Sequence, residues 1–241
     1  MATDDVQPPE GAAGGAAHAG RKARARTQLS LLSESGNLEY DRVLFFSDAV
    51  MAIAITLLVV DIRVPGLPAS LIHAGDVLRN SGTRIFGFAL SFAVIGMFWM
   101  GHHSVFRHIR ALDRTLIWLN LLFLATVAFL PFPTALLSAA STQQAPATVF
   151  YAACVAAAGL AELVIWLYAI KTAGLVVDSV TPRMRRYFAA RMTRTPVVFG
   201  LSIPVAIVAP GVAPYLWILT AVVGVVLRRV MLKDEPDEPD T

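Results

Sequence analysis

Beginning at Arg42 the chain runs apolar for more than five helical turns, interrupted only by Ser47, Asp48 and Thr56 before Asp61 and Arg63 close the stretch. Windows near the ~20 residues needed to cross hydrocarbon fall at about 43 to 62, 84 to 105, 114 to 137, 147 to 170, 195 to 210 and 213 to 232. The pattern therefore predicts six helices. Between the last two, Pro204, Pro210, Gly211 and Pro214 interrupt one long apolar stretch, and that punctuation predicts a tight turn back into the membrane. A single bent helix is the alternative.

Composition agrees with an all-α integral membrane protein. Of 241 residues 56% are apolar and only 15% charged, with a mean hydropathy of +0.62, against about 25% charged in a soluble domain. A soluble core cannot hide that much apolar surface. Residues 1–40 are rich in Ala and Gly, with Pro8 and Pro9 and no apolar run, and read as a disordered, basic N-terminal arm. Arg21, Lys22, Arg24 and Arg26 are followed by polar and acidic residues rather than by an apolar core, so no cleaved signal is expected. Residues 41–232 form the six-helix domain, and 233–241 an acidic, solvated tail. Cys154 has no partner cysteine in the chain.

Loop charges set the orientation, because cytoplasmic loops accumulate Lys and Arg. With six spans, all but Arg63, Arg79 and Arg84 of the 20 Lys and Arg fall on the same side. They sit in the N-terminal arm with Arg42, in the loop of Arg107, Arg110 and Arg114, in the loop from Lys171 through Arg183, Arg185, Arg186, Arg191 and Arg194, and at Arg228, Arg229 and Lys233. Both termini are thus expected to be cytoplasmic in a multi-pass plasma-membrane protein. Topology accounts for the pI near 9.3 without nucleic acid. The cluster from 183 to 194 reads as a cytoplasmic loop, solvated or facing anionic lipid headgroups.

On the first helix, at 100° per residue, Phe46, Val50, Ile53, Leu57 and Val60 share one narrow stripe with Thr56 at its flank, and Asp48 points about 140° away from Ile53. An ionisable group at this depth costs roughly 2.5 kcal/mol or more unless it faces protein or water. The acid is therefore expected to look toward the other five helices, and the aliphatic stripe toward lipid, a neighbouring chain or a central axis. Periodicity alone does not choose among these.

The residues Arg42, Phe46-Ser47-Asp48 and Ala52-Ile53-Ala54-Ile55-Thr56-Leu57-Leu58 closely resemble the Arg-x-x-x-Phe-Ser-Asp signature of the endolysosomal-type potassium channels, the transmembrane protein 175 family, in its prokaryotic branch. The likeness continues through Phe98-Trp99-Met100-Gly101-His102-His103, Asp113, Leu119-Asn120-Leu121-Leu122-Phe123-Leu124 and Leu130-Pro131-Phe132-Pro133-Thr134. It implies six transmembrane helices per chain and a homotetramer around a pore lined by the first helix. It also implies that Ile53, Leu57 and Val60 form the aliphatic constriction, and that Thr56 bears on potassium preference. A plain alternative for Thr56 is a hydroxyl bonded to the carbonyl of Ala52. No Thr-Val-Gly-Tyr-Gly segment occurs, which excludes a filter of that kind. Ala49 and Met51 depart from the common family pattern, in which Gly and an aromatic are frequent.

Six residues separate Arg42 from Asp48, or about 120° and roughly 9 Å on one helix, so direct pairing is not expected. Trp99, His102 and His103 end the antiparallel second helix near the same boundary. Indole and imidazole N–H groups suit a buried carboxylate, which predicts a structural or gating network of Asp48 with Trp99 and His102 or His103, a reading the resemblance supports. If the histidines titrate near neutral pH, replacing both should blunt any response of the currents to cytoplasmic pH. Their number and spacing are too poor for a metal centre. Glu162, a second acid within a span, either bonds a neighbouring helix or faces a water-filled cavity, and the small residues Ala152, Ala153, Ala156, Ala157 and Gly159 around it suit close helix packing.

These readings converge on a passive, potassium-permeable channel with a hydrophobic constriction, no catalytic constellation and no cofactor beyond the permeant ion. Its expected partners are three further copies of the chain, membrane lipids and potassium ions, with nothing pointing to a soluble partner. The alternative is a proton-coupled secondary transporter using Asp48 and Glu162 as carriers, although no internal repeat of the kind common in transporters is visible.

Overall fold

The computed structural model describes residues 38–61, 82–140 and 144–231. The chain divides into two units, Met1–Val43 and Leu44–Thr241. The predicted arm and acidic tail lie outside the described residues, except for 38–40. Helix α1 is Leu38–Val60, and its end tightens into a 3₁₀ turn over Leu58–Asp61. There follow α2, Gly82–Phe106, α3, Arg114–Phe129, α4, Pro131–Ala140, α5, Ala145–Lys171, α6, Pro182–Val208, α7, Ala213–Trp217, and α8, Leu219–Met231. Among the described residues there is no strand.

Four stretches are long and apolar enough to cross a bilayer: Leu38–Val60, Gly82–Phe106, Arg114–Ala139 and Ala145–Lys171. The third contains both α3 and α4. Pro131 has no N–H to continue the ladder, so α3 stops at Phe129 and Leu130 N bonds Val127 O at 3.0 Å. Counted with α6 and the α7–α8 pair, this makes the six spans that the apolar windows predict.

The fifth helix departs from expectation at both ends. The segment 183–194, read above as a loop, forms the first half of α6. Thr181 accepts from Met184 N at 3.2 Å as its N-cap and Pro182 fills the first helical position, where a missing N–H costs nothing. Charge density suggested a loop, but the cap and proline start the helix before the apolar run begins. Arg183, Arg185 and Arg186 are exposed, while Arg191 and Arg194 turn half-buried toward the bundle. Further on, α6 passes through Pro204 without ending. The turn comes at 209–212, where Val212 N bonds Ala209 O at 2.9 Å, so the last two spans are separate helices.

Helices α5 and α6 pack along much of their length, and α5 also meets α3 and α4. Gly159 permits the closest approach: a Cβ there would stand 2.8 Å from Pro196 Cδ. Ala152, Ala156 and Gly159 are buried as the small-residue pattern predicts, but Ala153 and Ala157 face outward. At one end of the bundle the loop after α2 is tied to the loop after α5 by an antiparallel bridge between Ile109 and Val176. Arg110 donates there to Gly174 O at 3.0 Å and pairs with Asp178 at 2.9 Å. Two of the Arg-bearing loops assigned to one side by charge thus lie together.

Candidate functional site

Helix α1 presents two unlike faces. Ser47, Met51, Ala54 and Leu58, spaced four, three and four apart, are all buried, and this stripe packs on the chain's own helices. Opposite them Ile53, Leu57 and Val60 are 58%, 47% and 66% exposed in the single chain, with Phe46 exposed beside them. Val50 is half-buried, and Thr56 is exposed at the flank. The Thr56 hydroxyl donates to Ile53 O at 2.9 Å, so its backbone partner is Ile53 rather than Ala52. The three aliphatic residues named from the sequence therefore share one face turned away from the subunit interior. Arg42, exposed, belongs to the first unit.

Asp48 does not look straight into the bundle, as the angular argument expected. Ser47 does, and Asp48, one residue or about 100° further round, sits half-buried at the side. There Trp99 Nε1 donates to its Oδ1 at 2.9 Å. Trp99 is itself 42% exposed and stacks on the His103 ring with centroids 5.8 Å apart. Full burial of the acid is avoided by placing it at the edge of its helix, within reach of the one indole that α2 offers.

His102, one position before His103 and so about 100° round α2, is buried. Its Nε2 bonds Asn120 Oδ1 at 2.8 Å, and the Asn120 amide donates to Ser47 Oγ at 2.9 Å. The ring is stacked on Phe106, centroids 4.1 Å apart, and on Phe123 at 5.6 Å. The expected single network is thus two: Asp48–Trp99–His103 at the flank, and Ser47–Asn120–His102 inside. Asn120 entered the sequence reading only as part of the family-like segment 119–124 and was given no role, although an amide in the middle of an apolar helix must find partners.

A second polar group is fully internal. Glu162 on α5 is 5% exposed and lines, with Arg191 and Arg194 of α6 and Phe98 and Gly101 of α2, a cavity of about 10 Å³. Its Oε1 makes no bond to a neighbouring helix. Elsewhere in the interior Ser91 Oγ lies 2.7 Å from Thr134 Oγ1 and 3.0 Å from the Tyr151 hydroxyl, which joins α2, α4 and α5.

The sequence profile described as the endosomal/lysosomal potassium channel TMEM175 matches residues 42–131. A potassium channel of Streptomyces collinus is 36% identical over 192 residues, covering 75% of this chain and 89% of the relative. The chain belongs to the TMEM175 family. The crystal structure of a lysosomal potassium-selective TMEM175 homolog from Chamaesiphon minutus superimposes with a TM-score of 0.66 at 25% identity, over 78% of this chain and 97% of that one. The human endosomal/lysosomal proton channel TMEM175 is 39% identical over 104 residues, a match that takes in only 20% of its length. The profile match holds every residue of both α1 networks and ends before Glu162. Its members are channels and not enzymes.

Proposed function

We propose that this multi-pass membrane protein is a potassium-permeable channel in which four copies surround an axis lined by α1. One observation carries the reading: Ile53, Leu57 and Val60 form a continuous aliphatic face that the subunit leaves uncovered, while the opposite face of the same helix is buried. Four such faces meeting at an axis would make a hydrophobic constriction whose passage depends on wetting. Ile53, Leu57 and Val60 are its rings, and Thr56 is the adjacent hydroxyl. Arg42, Phe46, Ser47, Asp48, Trp99, His102 and His103 orient the lining helix. The bacterial relatives named as potassium channels support potassium as the permeant ion, and the placement of basic residues supports a plasma-membrane protein with both termini in the cytoplasm.

The human relative's name favours protons as a second permeant species, so both ions are measured together. Purified protein in liposomes should pass potassium down its gradient with no proton gradient applied, and Ile53→Ser should raise that flux several-fold. A flux that requires a proton gradient would instead favour coupled transport through Asp48 and Glu162. A particle without fourfold symmetry, or an Ile53→Ser flux equal to the parent's, would end the constriction reading.

A further inference from the structure

Glu162 lies nine residues before the end of α5, or ~13 Å along the axis, and its Oε1 has no hydrogen-bond partner. The Nε of Arg194, a residue that lines the same cavity, is also without one. Among the described residues the ion pair found is Arg110 with Asp178, so neither guanidinium closes on the buried carboxylate. Arg191 instead reaches Ser104 Oγ at 3.4 Å, and Arg194 reaches Met97 Sδ at 3.9 Å.

An orphaned acceptor and an orphaned donor beside one small cavity ask for a group that donates to the first and accepts from the second. Water does both, and about 10 Å³ is room for one molecule. A metal cation would be repelled by two guanidiniums, and an anion has no hydrogen to donate to Glu162 Oε1. The chemistry left is a water and an exchangeable proton.

We propose that Glu162, Arg191 and Arg194 form a hydrated proton-binding site within each subunit, off the α1 face, whose charge state is felt by α2. Burial favours the neutral acid and the two guanidiniums favour the carboxylate, so the opposing influences meet on this one group. The charged and titratable surroundings are few. From α6 come Arg191 and Arg194, and Tyr187 lies one turn before Arg191. The facing wall of α2 supplies Val94, Met97, Phe98 and Gly101, while its His102 is turned to Asn120. Helix α3 carries only Arg114, exposed at its start, after Asp113, which Tyr168 of α5 holds by a hydrogen bond. Helix α4 carries no charge, and α8 sets Gly224 against Arg194.

Contact with α2 is direct. A Cβ on Gly101 would collide with Glu162 Oε1, so the carboxylate rests on the backbone of α2 two residues from Trp99, whose indole holds Asp48. Movement of the acid on gaining or losing a proton is therefore passed to the helix that steadies α1. The site stands whichever ion the protein conducts, and only its influence on flux rests on the channel reading.

The test is infrared difference spectroscopy of the full-length protein in lipid nanodiscs, with the proton itself as probe. The parent should show a protonated-carboxyl band that grows as pH falls and that Glu162→Gln abolishes. Arg194→Gln, which removes a charge favouring the anion, should move the transition to higher pH by about one unit. A parent without the band, a band that survives Glu162→Gln, or an unmoved transition in Arg194→Gln would overturn the site. Should Glu162→Gln not fold, the parent and Arg194→Gln spectra decide alone. In liposomes, Glu162→Gln should flatten the pH dependence of potassium flux, and an unchanged dependence would overturn the link to α2. A protein that passes no potassium would still give the spectra, which separates failure of this site from failure of the channel.

Discussion

Trp99 Nε1 donates to Asp48 Oδ1 across 2.9 Å, and this bond joins the flank of α1 to α2 at the level where the aliphatic face of α1 begins. A carboxylate in a membrane helix has to be solvated by something, and here one indole shares that task with the open side of a half-buried site. Removing the donor should therefore disturb the angle of α1 more than the stability of the fold. Trp99→Phe is expected to cost about 1.5 kcal/mol, the low end for a hydrogen bond to a charged group because the pair is half-exposed. Unfolding of the purified protein measures the cost, and ion flux of the same sample reports the change in α1.

Asn120 serves two buried partners at once, His102 on one side and Ser47 on the other. Asn120→Leu keeps the branching of the side chain and takes the partner of His102 Nε2 away, so a loss of roughly 1–3 kcal/mol is expected, the cost of one unsatisfied buried group. Ser47→Ala, which strands only one hydrogen of the amide, should cost less. A double-mutant cycle on 47 and 120 in a denaturation series should show a coupling near 1 kcal/mol.

At Gly159 the contact with Pro196 leaves no room for a side chain. Gly159→Leu should force α5 and α6 apart and cost at least about 1–3 kcal/mol, as overpacking does in other interiors. Thermal melting and the yield of assembled protein after detergent extraction check this. Gly200, with open space around its Cβ position, is the control, and Gly200→Ala should be neutral or slightly stabilising.

The exposed pair Arg110–Asp178 is a different case. Arg110→Ala should lower stability by less than about 1 kcal/mol, since solvent screens the charges. Gly174 adopts φ 86°, a region that costs a side chain roughly 1 kcal/mol or more. Gly174→Val should thus destabilise the loop more than Arg110→Ala, a ranking that hydrogen exchange at Val177 N and Arg110 N, both bonded across the two loops, would read.

Much of this fold was legible in the sequence because membrane helices announce themselves by apolar length, and the six windows became six spans. The outward stripe of Ile53, Leu57 and Val60 was legible for the same reason: helical period alone sets which residues share a face. What eluded the sequence depends on how one helix is turned against another. Asp48 could be paired with Trp99 from antiparallel geometry, yet no single-helix argument shows that Ser47 takes the inward position or that His102 meets Asn120 on α3. The start of α6 was missed because arginines read as loop, whereas Thr181 and Pro182 were the better guide. Arg191 and Arg194 were then counted as surface charge when they lie beside Glu162.

The bridge between Ile109 and Val176 closes a length of chain on itself. The chain leaves the tie at α3 and returns to it at the end of α5, so that intervening hairpin starts and finishes at a single clasp. Such a cassette carries its own closure. It can be lifted between relatives as a block with two neighbouring splice points, provided the recipient loops can form the same clasp.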